Sequence, residues 1–213
     1  MTELQNRIIT SIPLLIVLYL SLTFKIVLFL TLSLITFLLF SEIYYILNKI
    51  FKQKEKLKLF LLSLFSYLYI ILFVVIIWYT LNKNSENNLY LILLLSICIF
   101  SDIGGYFFGK ILKGKKLTKI SPKKTYSGMI GAYILPLVFC LFFFRHLDLS
   151  FSLILLVIIV STVSQIGDLF VSYLKRKAKI KDTGNFLPGH GGLLDRLDGI
   201  LFAIPIGIFL ISV

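Results

Sequence analysis

A chain of 213 residues that is 58% hydrophobic and only 15% charged, with a mean hydropathy of +0.96, is not a soluble globular domain. Its formal net charge of +12 does not point to nucleic acid, because no soluble surface remains to present a groove. Membrane topology accounts for most of that charge, and attraction to anionic lipid head groups for the rest.

Several apolar runs reach the roughly 20 residues needed to cross about 30 Å of hydrocarbon. In chain order they predict seven transmembrane helices, over about 7–24, 26–48, 59–80, 88–109, 128–144, 151–173 and 192–213. The expected fold is therefore all-α, a polytopic integral membrane protein. The first run lacks a small-residue cleavage site and is followed by further spans, so it is read as a helix rather than a secretory signal. With no repeat or soluble insert, the chain reads as a single domain. Residues 1–85 form N-terminal transmembrane helices for packing and lipid access. Residues 86–213 form a C-terminal catalytic region with cytosolic loops at 110–127 and 174–194.

Charge placement sets the expected orientation. Of 22 Lys and Arg residues, five fall in 49–58, seven in 110–124 and six in 175–196. By the positive-inside rule these loops and the N-terminus face the cytoplasm. Cys98 and Cys140 lie inside predicted spans with no metal-site spacing, and are read as buried free thiols.

Ionisable residues at membrane depth normally face protein or water. In the second span, Glu42 follows Ser41 in the cytosolic half and is a weaker site candidate. In the fourth, Asp102 shares a face with Gly105 and Gly109. Those glycines suit close helix packing, while Asp102 suits a polar cavity. In the sixth, Ser161, Gln165, Asp168, Ser172, Lys175 and Lys179 recur at steps of three and four, and so share one helical face. A hydrogen-bonded packing seam would explain the Ser and Gln residues, with Ser164 beside them. It would not require the charge of Asp168. In the last span, Asp195 and Asp198 sit three apart beside Arg196. Negative charge near a helix N-terminus is favoured by about 0.3–1 kcal/mol, so plain capping competes there with metal binding. Pro205 is expected to bend that helix.

The stretch from Ser172 to Asp198, SYLKRKAKIKDTGNFLPGHGGLLDRLD, gathers these charges at the edge of an apolar segment. Cations beside carboxylates and a glycine-rich turn point to Mg²⁺-dependent chemistry on a phosphate carried by lipid. Hard oxygen ligands with open positions suit Mg²⁺, and a second cation is compatible with them.

The same stretch resembles the signature of the phosphatidate cytidylyltransferase (CDP-diacylglycerol synthase) family. The positions carrying the resemblance are Ser172, Leu174, Lys175-Arg176, Lys181-Asp182, Gly184, Leu187-Pro188, His190-Gly191-Gly192 and Asp195-Arg196-Leu197-Asp198, without a gap. SDIGGYFFGK from Ser101, SPKKTYSG from Ser121 and SQIGD from Ser164 resemble further blocks. Ser127 stands where relatives often carry an acid, and the chain is short for the family, which implies fewer early helices.

The resemblance implies that CTP and phosphatidate give CDP-diacylglycerol and diphosphate, in phospholipid biosynthesis at the inner membrane. In that reaction a phosphate oxygen of the lipid displaces diphosphate in line at the α-phosphorus, and both reactants are anionic. Asp168, Asp195 and Asp198 would hold the metal. Lys175, Arg176, Lys181 and Arg196 would grip the triphosphate and the lipid head group, and Gly191 and Gly192 would let backbone N–H groups approach phosphate. His190 would orient or protonate the leaving group, or serve only as a turn residue. Ser172 and Asp102 complete the expected contacts, and Asp182 would contact metal, cytidine or a neighbouring Lys. Lys123, Lys124 and Thr125 form a second phosphate grip, with a solvated basic loop as the alternative. A homodimer among membrane lipids is also implied.

Two rival functions remain. A CTP-dependent polyprenol or lipid kinase would transfer the γ-phosphoryl group instead. A transporter or flippase for an anionic solute would need polar residues across the whole bilayer, whereas Phe142 to Phe144 and Phe151 to Val160 are almost wholly apolar.

Overall fold

The computed structural model describes residues 13, 16, 17, 19–51, 55–83, 85–118, 121, 124–143, 151–184 and 191–212. These form helices α1 (Lys25–Phe51), α2 (Lys56–Lys83), α3 (Ser85–Leu112), α4 (Tyr126–Phe143), α5 (Phe151–Lys177), α6 (Leu194–Leu197) and α7 (Ile200–Ser212). Among the described residues the only β-type pairing is an isolated bridge between Lys116 and Thr125. Helices α1 to α5 are long and apolar enough to cross a membrane. The protein is an all-α, multi-pass membrane protein.

Helices α1, α2, α3 and α5 run longer than the apolar windows that predicted them, because polar residues such as Lys and Asn at their flanks continue the helix. Half of the first expected span lies outside the described residues, and 13, 16, 17 and 19–23 are helical. The last expected span is not one helix. It breaks at Asp198 and Gly199, and α7 has 13 residues, about 20 Å of rise and less than a bilayer core. The break has a packing cause: a side chain at Gly199 would overlap the Ser164 hydroxyl, and the chain turns there against α5. The count of seven spanning helices is therefore not reproduced.

The chain forms two compact units. The first comprises residues 1–82 and 174–197. Within it, Phe29 meets Trp78 and Phe40 meets Tyr67 edge-on, at 6.1 and 5.1 Å between ring centres. The pairing runs in opposite chain directions, so α1 and α2 are antiparallel. Outward-facing Phe60, Phe65, Leu68 and Leu72 on α2 are exposed, as suits contact with acyl chains.

The second unit comprises residues 83–173 and 198–213. Its α3 and α4 are also antiparallel, joined by small residues. A Cβ at Gly104 would overlap the Gly131 carbonyl, and one at Gly128 would lie 2.6 Å from the Gly105 carbonyl oxygen. Phe100 stacks on Phe139 at 3.9 Å further along the seam. Helix α7 closes on α3 where Gly207 faces Leu94, and α5 packs against the 198–199 turn through Gly167. The free thiols Cys98 and Cys140 are buried, as expected.

The α3–α4 seam makes a graded prediction. Gly104→Ala should lower the thermal midpoint of detergent-solubilised protein by several degrees, reflecting about 1–3 kcal/mol of overpacking. Gly105→Ala, whose Cβ would lie 3.7 Å from the nearest atom, should leave that midpoint within error.

Candidate active site

In the second unit a cleft of about 290 Å³ collects polar groups from three elements. Helix α3 lines it with Ser101 and Asp102, the segment before α4 with Lys124 and Thr125, and α5 with Gln165 and Asp168. Each is placed by local structure. Thr125 caps α4, its hydroxyl accepting the Gly128 N–H at 3.1 Å, and the preceding Lys124 lines the cleft. Asp168 lies one turn before Ser172, which donates to it at 3.4 Å.

Lys124 Nζ stands 2.5 Å from Asp168 Oδ2. The Asp198 carboxyl reaches Asp168 within hydrogen-bonding range, and Asp102 adds its charge to both. Carboxylates so close repel unless a proton or cation relieves them, so three acids against one lysine form a place for added positive charge. Among the described residues no three His, Cys, Asp or Glu side chains are arranged to enclose an ion by themselves. That donor set fits a hard cation that keeps waters and completes its shell with substrate oxygens. Ser101 Oγ and Gln165 Nε2 line the same cleft without a protein partner, and a polar ligand would satisfy them.

The first unit holds most of the basic signature. Helix α5 ends in a Schellman turn: Lys179 N–H donates to Arg176 O at 3.1 Å and Ile180 N–H to Lys175 O at 3.0 Å. Lys179 takes the left-handed conformation there, with φ of 56°. It thus leaves the helical face on which the sequence placed it, because the helix stops at Lys177. The reversal returns the chain so that Thr183 meets Asp195. Lys175 Nζ donates to Asp195 Oδ1 at 2.6 Å. Asp195 Oδ2 accepts from the Thr183 N–H at 2.8 Å, the Thr183 hydroxyl at 3.0 Å and the Gly192 N–H at 3.2 Å. Burial disfavours the ionised Asp195 carboxyl, but Lys175 and the two N–H donors outweigh it and hold its pKa below the usual value.

The expected site residues thus fall into two groups. Asp102, Lys124, Thr125, Asp168, Ser172 and Asp198 belong to the second unit. Lys175, Arg176, Lys181, Asp182, Gly191, Gly192, Asp195 and Arg196 belong to the first, with Arg176, Lys181, Asp182 and Arg196 exposed. Of the three expected metal ligands, Asp168 and Asp198 face one another, whereas protein donors occupy both oxygens of Asp195. The Gly192 N–H, expected to approach phosphate, is given to Asp195. Lys123 and His190 lie outside the described residues. Glu42, the weaker site candidate of the sequence, lies in the first unit. Its carboxylate accepts from the Thr183 hydroxyl and from the Leu193 and Leu194 N–H groups. The available signal was a single acid in an apolar span.

Residues 1–213 match the family described as the Cytidylyltransferase family. The chain belongs to that family. Among its relatives, a phosphatidate cytidylyltransferase of Rickettsia bellii is 43% identical over 144 residues, covering 61% of each chain. The protein of that name from Bacillus subtilis is 43% identical over 116 residues, 53% of this chain and 43% of its own. The one from Staphylococcus epidermidis is 38% identical over 133 residues, 60% of this chain and 51% of its own. This cytidylyltransferase-family chain thus aligns with roughly half of the length of the curated relatives it matches.

A pH response follows from the lowered Asp195 value. The ionised contacts contribute stability above the ordinary Asp pKa of about 3.9, and lose it as pH falls through the lower folded value. Acidifying from about pH 7 to about 5 should leave hydrogen-exchange protection factors of the Thr183 and Gly192 amides unchanged, with loss beginning only below about pH 4. Lys175→Met should move that onset upward.

Proposed function

We propose that the chain is a phosphatidate cytidylyltransferase, converting CTP and phosphatidate to CDP-diacylglycerol and diphosphate. The carrying observation is the meeting of Asp102, Asp168 and Lys124 in one cleft, with the Asp198 carboxyl within hydrogen-bonding range of Asp168, in a chain whose curated relatives bear that name. In this reading a phosphatidate phosphate oxygen forms a bond to the α-phosphorus of CTP, and the bond from that phosphorus to the bridging oxygen breaks. Diphosphate leaves with the electron pair.

Asp168 and Asp198, with Asp102 nearby, would hold Mg²⁺, and the family resemblance implies Asp195 as a further ligand. When bound, the ion would neutralise charge on the nucleotide and lipid phosphates. The chain's own residues do the positioning on which phosphoryl transfer mostly depends. Lys124 is poised to exchange Asp168 for a phosphate oxygen. Ser101 and Gln165 offer polar contacts deeper in the cleft. Arg176, Lys181 and Arg196 supply cations for the triphosphate and the lipid head group, and Lys175 is a catalytic cation. Clustering of 18 of the 22 Lys and Arg residues in three loops supports an inner-membrane protein with those loops and the N-terminus on the cytoplasmic side. A homodimer is the assembly implied by the family resemblance.

The test is to incubate purified protein with phosphatidate, Mg²⁺ and CTP labelled in the cytidine, then identify the lipid product. Label in CDP-diacylglycerol supports the proposal, whereas phosphorylated lipid without cytidine would replace it by the kinase. Asp168→Asn should lower turnover by at least about a hundredfold with membrane insertion unchanged. Lys124→Ala should raise the KM for CTP or phosphatidate more than it lowers kcat.

A further inference from the structure

Glu42 is 6% exposed in the middle of an apolar helix, where an isolated carboxylate is costly. Three donors answer it, all more than 140 positions away in the chain. The Leu193 N–H reaches Oε1 at 2.8 Å, and the Leu194 N–H and the Thr183 hydroxyl reach Oε2 at 2.8 and 2.7 Å. Hydrogen bonds to a charged acceptor are the strong kind, and here they tie α1 to the turn that opens α6.

The glycines around Glu42 fit this role. A Cβ at Gly192 would lie 2.6 Å from Glu42 Oε2 and would overlap the Thr183 hydroxyl, and one at Gly184 would lie 2.9 Å from Glu42 Oε1. Both positions let the carboxylate approach the backbone. Thr183, 1% exposed, joins two acids. Its single hydroxyl proton lies between Glu42 Oε2 at 2.7 Å and Asp195 Oδ2 at 3.0 Å, while its N–H is fixed on Asp195. Asp195 in turn fixes the Lys175 ammonium.

We propose that Glu42 and Thr183 are positioning residues for the nucleotidyl transfer, forming a clasp that holds the 192–194 turn and thereby orients Asp195 and its partner Lys175. Neither needs to touch substrate. This inference rests on the activity proposed above. Loss of the clasp leaves the groups present but misplaced, which costs turnover more than binding.

The experiment compares the full-length parent chain with Glu42→Gln, Thr183→Val and Thr183→Ser in detergent. Glu42→Gln keeps the shape but turns one acceptor into a donor facing N–H groups. Both Glu42→Gln and Thr183→Val should lower kcat for CDP-diacylglycerol formation by about tenfold or more, with KM for CTP changed by less than about threefold. Thr183→Ser, which keeps the hydroxyl, should restore most of the rate. Parental kcat in folded Glu42→Gln overturns the inference. Should that variant not fold, equal rates for Thr183→Val and Thr183→Ser overturn it instead. A parent chain that puts no cytidine label into lipid overturns the activity reading itself. The clasp is then judged by hydrogen exchange, where unchanged protection of the Leu193 and Leu194 amides in Glu42→Gln overturns it.

Discussion

A carboxylate placed among apolar helices has to be met by donors or by positive charge, and this requirement organises the chain. Glu42 is met by two backbone N–H groups and a hydroxyl. Asp195 is met by an ammonium, two N–H groups and the same hydroxyl. Asp168 is met by Lys124 and Ser172, but it also faces Asp198 and Asp102. The first two acids each have donors from the protein on both oxygens. The third group is left with more negative charge than its protein partners offset, which suits a cation and phosphates.

The acids thus differ in how many protein partners they have, whatever their position in a motif. Asp195 and Asp198 are three residues apart, yet one spends its oxygens on the turn at Thr183 and Gly192 while the other meets Asp168. Removing a partner from a saturated buried acid leaves an uncompensated charge, which is more damaging than never having had the pair. The same reasoning explains why the glycines near Glu42 and along α3 and α4 matter through the space they leave free.

Much of the architecture was readable from residue order. Runs of Leu, Ile, Val and Phe long enough to span hydrocarbon place α1 to α5, since every backbone group in lipid must be bonded within its own segment. The polar face of α5 followed from spacing as far as Lys175, and the buried thiols followed from their apolar surroundings. The helical period failed at Lys179, where a left-handed residue ends α5, and over 192–213, where the turn at Gly199 packs on Ser164. Both failures come from tertiary contacts and a local turn that hydropathy does not register.

The sequence by itself determined which residues are available for the chemistry and that they lie along membrane-spanning helices, because composition and period are local properties. Only the tertiary structure decided which acids share a cleft and which are met by backbone and hydroxyl donors. Those assignments depend on partners distant in the chain, as when Glu42 meets Leu194, and on packing that brings a single hydroxyl between two carboxylates. No local pattern encodes a hydrogen bond across 152 positions, so the role of Glu42 emerges only once the chain has folded.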